Sequence, residues 1–221
     1  MTHLHIPDGS LPVGVASAGW AVAAVALAVS LWMLRARDAR RNLALTGVTG
    51  ALMLAAMSVP LGPLPVHLNL AVLAGVLLGP AMSVLCAFSV NVVLALVGHG
   101  GVTAVGLNTV LLAVQAAGGG AVFSLLRKRV APATAAALST AVAVTVSLGI
   151  GAWILGIGGS PATQAYSRGL AAGAAGRLWR IGVVAAPIAL VGLVCESVAV
   201  GAAVALLDRV RPDLVGGSRG D

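Results

Sequence analysis

This 221-residue chain contains four histidines, and two of them, His3 and His5, stand within five residues of its first amine. An α-amine, the amide nitrogens that follow it and an imidazole a residue or two further on form a chelate. The amine binds, the amides lose their protons and the imidazole closes fused rings. Strong-field nitrogen ligands in a plane select Cu(II) or Ni(II) over Zn(II). With Met1 retained, His3 is the third residue and three fused rings can form. With Met1 removed, which the small Thr2 permits, His3 becomes the second residue and one position in the plane stays open. His67 is the candidate to fill it, and His5 substitutes for His3 or adds to it. The competing reading leaves the terminal histidines solvated and idle, because a histidine pattern this short is weak by itself.

Other polar residues stand near these ligands. Pro7, Asp8 and Gly9 suit a turn that folds the segment back between helices; alternatively, Asp8 or Ser10 caps the first helix. His67 and Asn69 sit at the mouth of an apolar run in "PVHLNLAVLAGVLLGP". His99, in "GHGGVTAVGLN", either orients a metal ligand from behind or is a plain loop residue. Asn91, Asn108 and Gln115 fall inside apolar runs. Such residues face a bundle interior or line a pathway, or they bond across helices for about 0.6 kcal/mol each. Glu196 is the only acid deep in such a run, paired within the bundle or touching a partner subunit.

The elements that must position these residues are transmembrane helices. Hydrophobic residues make up 59% of the chain and charged residues 9%, against roughly 25% charged in soluble domains, so there is too little polar surface to cover a globule. Runs of about 20 apolar residues mark bilayer crossings: Val15–Leu34, Leu43–Val59, Val105–Leu126, Ala133–Ile157 and Ile181–Leu207. The stretch Leu68–Gly98 is too long for one crossing and short for two. Gly79 and Pro80 interrupt it, as a helix boundary or turn would.

Basic residues resolve that count. Arg35, Arg37, Arg40 and Arg41 follow the first span; Arg127, Lys128 and Arg129 follow the fifth; Arg209 and Arg211 follow the last. The positive-inside rule puts all three clusters in the cytoplasm. That needs seven spans, Leu68–Gly98 being split near Gly79–Pro80 into two short tilted helices. Arg168, Arg177 and Arg180 then lie outside, in a Gly-rich loop. The expected fold is thus an all-α integral membrane bundle of about seven transmembrane helices, N-terminus outside and C-terminus cytoplasmic. Residues 1–13 form an outer segment, 14–208 the bundle and 209–221 a cytoplasmic tail. All four histidines then fall on the outer face. The first segment is not read as a signal peptide, since it lacks a basic region and carries Pro7, Asp8 and Pro12 before the apolar run.

Several classes are excluded or disfavoured. No GxxxxGK[ST] is present, so the chain hydrolyses no ATP through a P-loop, and no HExxH supports a zinc protease. The net charge of +7 comes with only 3% aromatic residues, which argues against nucleic-acid binding. Cys86 and Cys195 lie in apolar runs as packing residues and imply no disulfide framework. Hydrolysis would need a general base, and Asp8 is the only outer acid near the histidines.

Separate stretches, in order along the chain, then agree. "HIPDGSLP" (His5–Pro12), "VHLNLAVLAGVLLGP" (Val66–Pro80), "GHGGVTAVGLN" (Gly98–Asn108) and the late "PIALVGLVCESVAVGAAVALLDRVRP" resemble the cobalt/nickel substrate-binding subunits of energy-coupling-factor transporters, the CbiM/NikM family. The resemblance implies a seven-span subunit with its amino end tucked into the bundle. It also implies that the terminal amine, a backbone amide, an early histidine and a second histidine hold Ni(II) or Co(II). Those histidines match His5 by motif and His67 by segment. Family members commonly carry the signature histidine directly after the initiator methionine, whereas "MTHL" precedes it here, so His3 competes with His5 for that role.

The expected function is therefore substrate capture for Ni(II) or Co(II) uptake in a bacterial-type plasma (inner) membrane, without enzymatic activity or an organic cofactor. By resemblance, the partners are a transmembrane coupling subunit and a pair of cytoplasmic ATPases. His3, His5 and His67 are expected to hold the metal, with Asp8, Asn69, His99 and Asn108 behind them or along a pathway. The rival expectation is a stand-alone metal channel or membrane metal sensor.

Overall fold

The structure, a computed structural model, describes residues 6, 8–35, 40–60, 67–158 and 174–215; for 35, 40–42, 155–158 and 174–185 it describes the backbone only. Every regular element among them is helical: α1 (Val13–Arg35), α2 (Arg40–Ser58), α3 (Ala71–Leu96), α4 (Val105–Ala113), a π turn (Val114–Gly118), α5 (Gly119–Leu126), α6 (Pro132–Gly158), α7 (Ala174–Val210) and α8 (Pro212–Val215). The π turn joins α4 to α5, so Val105–Leu126 runs as one span. Five helices are long and apolar enough to cross a bilayer, and Leu43–Ser58 is a shorter apolar helix. Large apolar side chains such as Trp32, Trp153, Val194 and Val198 point outward, as a lipid-facing surface requires.

The stretch that the sequence left between one span and two is settled by the backbone. A straight helix over Ala71–Leu96 would be about 39 Å long, yet the rings of His67 and His99, which flank it, have centroids 5.4 Å apart. The His99 amide also bonds to Leu94 O at 2.8 Å, so no extended segment runs back to close the gap. The chain must reverse inside α3. It does so at Gly79, whose φ of 73° and ψ of 176° are non-helical. Glycine adopts positive φ without steric cost, and Pro80 starts the second leg, where its missing N–H would be unbonded anyway. The expected split at Gly79–Pro80 is therefore present, with legs at 71–78 and 80–96.

The first leg, at about 12 Å, is too short to cross a bilayer alone. It is instead enclosed: Ala71, Val72, Leu73 and Ala74 are each 2% exposed or less. Their neighbours in the main core include Met53, Met57, Leu112, Ala116, Ala143 and Val200, drawn from α2, α4, the π turn, α6 and α7. Short helical segments at membrane depth are tolerated when protein surrounds them.

The two ends of the bundle differ in chemistry. At one end Val105 begins the continuous span, close to Ile6 and the 98–104 loop. About 33 Å away, Arg127 ends it, its Nη1 donating to Val215 O at 2.6 Å. Arg127, Lys128, Arg129 and the Arg211–Asp213 ion pair (2.8 Å) gather at that second end. His67 and His99 occupy the first. Helix α7 begins at Ala174, seven residues before the expected Ile181, so Arg177 and Arg180 lie on a helix and not in a loop. Alanine and leucine are strong helix formers and carry the helix through Gly176. Arg168 lies outside the described residues.

Candidate metal centre

The amino segment is tied down before α1 begins. The Ile6 N–H donates to Asn108 Oδ1 at 3.0 Å, and Asn108 Nδ2 donates to Ile6 O at 3.2 Å. One buried side-chain amide thus pairs with both the N–H and the C=O of one residue, as a neighbouring strand would. Gly101 N–H also donates to Ile6 O, at 3.3 Å. The Ile6 side chain is 1% exposed and packs with Ala104, Leu107 and Leu111.

Asp8 fastens the same strap to the same loop. Its carboxylate accepts from Val102 N–H (3.0 Å), Thr103 N–H (2.8 Å) and the Thr103 hydroxyl (2.5 Å). The Thr103 hydroxyl, then the Thr103 amide, hold the Asp8 carboxyl below its ordinary 3.8. Gly101 must lie against Asp8, because a Cβ there would strike the Asp8 backbone and carboxylate. Asp8 therefore does not cap α1; the Pro12 carbonyl accepts from Val15 and Ala16 and starts that helix. Trp20 on α1 adds a bond from its indole to Thr103 O at 3.1 Å.

His67 and His99 meet beside this strap, edge to face at an interplanar angle of 82°. Behind His67 lies a buried polar chain. Asn69 is fully buried; its Oδ1 accepts from Ala71 N–H (2.8 Å) and its Nδ2 donates to Gln115 Oε1 (2.7 Å). Gln115, in the π turn, donates to Ser147 Oγ on α6 at 3.0 Å, and Ser147 donates to Leu111 O at 3.1 Å. A π turn in a helix often marks a functional position. Glu196 on α7, 1% exposed, accepts from the N–H groups of Asn69 (3.0 Å) and Leu70 (2.7 Å).

The sequence-derived residues thus separate by role. His67 and His99 come together at one end. Asn108 and Asp8 hold the strap, while Asn69 and Glu196 turn inward and brace the His67 segment. His3 and His5 lie outside the described residues. Among the described residues no group of three or more His, Cys, Asp or Glu side chains meets. Gln115 does bond across helices, whereas Asn91 Nδ2 and Thr109 Oγ1 are buried without a partner among the described residues. Leu70, Thr103 and Ser147 were not singled out by sequence. Thr103 was visible as a polar residue just before an apolar run and Ser147 as one inside a run, but the left-handed turn at Leu70 carries no sequence signal.

Comparison with known proteins fits this arrangement. A family model described as "Cobalt uptake substrate-specific transmembrane region" (CbiM) matches residues 5–214. A protein of Haloquadratum walsbyi, provisionally described as a metal transport protein, is 35% identical over 116 residues. That match covers 50% of this chain and 53% of the relative, so the chain spans about half the length of the curated relative it matches. Two crystal structures titled as a transition metal transporter share the fold. One superposes with a TM-score of 0.77 at 20% identity, covering 98% of this chain and all of its own. The other, a truncated form, gives 0.74 at 18% identity over 95% and 99%.

Proposed function

Proceeding from the premise that the chain belongs to the CbiM family of cobalt-uptake substrate-specific transmembrane regions, a multi-pass membrane family, we propose that it captures Ni(II) or Co(II) for uptake. The observation that carries this reading is the strap. Ile6 and Asp8 are bonded to the loop that carries His99, at the end of the bundle where His67 and His99 meet. His5 directly precedes Ile6 in the sequence.

His67, with His5, His3 or both, supplies nitrogen ligands that replace water on the ion. The terminal amine and an early amide complete a planar set, a geometry suited to Ni(II); an added axial ligand suits Co(II). Asp8 and Asn108 hold the strap, Asn69 braces the His67 segment and His99 orients the ligands. Residues 1–13 lie outside the cell, 14–208 form the bundle and 209–221 the cytoplasmic tail.

The chain acts as a transporter subunit and not as an enzyme. Asp8, the acid that hydrolysis would require, is occupied by Val102 and Thr103. Without a P-loop of its own, active import needs a transmembrane coupling subunit and an ATPase pair.

Titration of the purified chain in detergent with Ni(II) and Co(II) tests the reading. The parent is expected to bind and His67→Ala to lose binding; equal affinity in the two sinks the site assignment. Metal uptake in cells lacking the ATPases distinguishes a stand-alone channel, which would still pass metal.

A further inference from the structure

Glu196 places a carboxylate within a membrane-spanning helix, Ala186–Val210, at 1% exposure. A charged or polar group there is costly unless bonded. Among the described residues its partners are neither a cation nor a hydroxyl. They are two consecutive main-chain donors, the N–H groups of Asn69 and Leu70.

Those two peptides are unusual in a second way. Leu70 has φ 55° and ψ 21°, the only non-glycine residue with positive φ among the described residues. A left-handed residue turns successive N–H groups toward one point and forms an anion-binding concavity. Leucine pays a steric penalty there that glycine does not. The same residue is the N-cap of the enclosed leg of α3, whose N-terminal dipole end favours a negative group. A strained leucine, the buried carboxylate that it donates to and a helix start thus coincide within four residues of His67.

We propose that Glu196 is a positioning residue for the metal site. Its carboxylate holds Leu70 in the left-handed turn, and that turn sets where the His67 imidazole stands. The site then depends on α7, an element that carries none of the proposed metal ligands. This proposal rests on His67 being a ligand, as proposed above.

The test uses the full chain in detergent. Glu196→Gln keeps the side-chain size but leaves one carbonyl oxygen for two donors. It is expected to weaken Ni(II) binding tenfold or more, the range found for groups behind a ligand, and to shift the ligand-field absorption of the bound ion. In the metal-free protein, amide hydrogen exchange across 68–74 should speed up. Adding Leu70→Gly, which enters the left-handed region without strain, should recover at least threefold in affinity, a rescue that general loss of packing would not give.

Ni(II) affinity within twofold of the parent, with unchanged exchange across 68–74, overturns the proposal. So does loss of affinity with no rescue by Leu70→Gly. If Glu196→Gln gives no monodisperse protein, Glu196→Asp, which withdraws the carboxylate by one methylene, is judged by the same measurements. If the parent binds no metal, the function proposed above fails, and metal-free exchange still decides whether Glu196 holds the segment.

Discussion

The imidazoles of His67 and His99 meet edge to face, centroids 5.4 Å apart, although the whole of Ala71–Leu96 lies between them in the chain. The reversal at Gly79 brings the two ends of α3 back to one level. A side chain on each flank then meets the other at the end of the bundle where Asn108 and Asp8 pin the strap.

His99→Ala should weaken Ni(II) binding without abolishing it. A residue that orients a ligand typically costs ~10–100-fold when removed, less than loss of the ligand His67. Titration calorimetry of the two single variants against the parent measures this. An unchanged affinity in His99→Ala would make His99 a bystander.

The strap should resist mild acid. The Asp8 pKa is lowered from 3.8 in the folded protein. Its contribution is therefore fully present above that ordinary value and is lost as pH falls through the lower folded value. Amide exchange at Val102 and Thr103, corrected for intrinsic rate, should stay flat from pH 7 to about 5 and rise only below the ordinary carboxylate range. In Asp8→Asn it should be fast throughout. Exchange that rises already near pH 6 would contradict the assignment.

Gly79→Ala should destabilise the bundle by about 1–3 kcal/mol, the range for a side chain forced into a sparsely allowed backbone region. Gly149→Ala is the control, since it lies in α6 with nothing within 4 Å of an added Cβ; removing a helical glycine should leave stability unchanged or raised by about 0.5–1 kcal/mol. Denaturant unfolding in detergent compares them. Equal effects would mean that Gly79 is not the turn described.

The histidine end should face outward. With Cys86 and Cys195 replaced by alanine, a cysteine at the exposed Val102 should react with an impermeant maleimide in intact cells. One at Lys128 should react only after the membrane is opened. The reverse pattern would invert the topology.

Much of this was legible in the chain. Arginine clusters at alternate span ends required an even number of passes between them, which forced the break in Leu68–Gly98, and Gly79–Pro80 was the one place suited to it. The turn at Asp8–Gly9 and the polar character of Asn69, Asn108, Gln115 and Glu196 were likewise visible. Residue type, however, did not say which polar group would face which. Asp8 looked as fit to cap α1 as to bind a loop, and Glu196 as fit to meet a partner as to meet two amides. Helix α7 ran past its expected start because a glycine read as a loop signal costs a helix only about 1 kcal/mol.

By itself, then, the sequence determined membrane insertion, helical class and which end of the bundle would carry basic charge. These follow from hydropathy, run length and charge placement, which act locally along the chain. Only the tertiary structure decided that Ile6 pairs with Asn108, that Asp8 closes on Thr103, and that Glu196 grips the turn after His67. Those partners lie between 95 and 127 residues apart. Their pairing depends on how the buried leg of α3 packs among its neighbours, because each buried polar group must find a donor or acceptor where no water can serve.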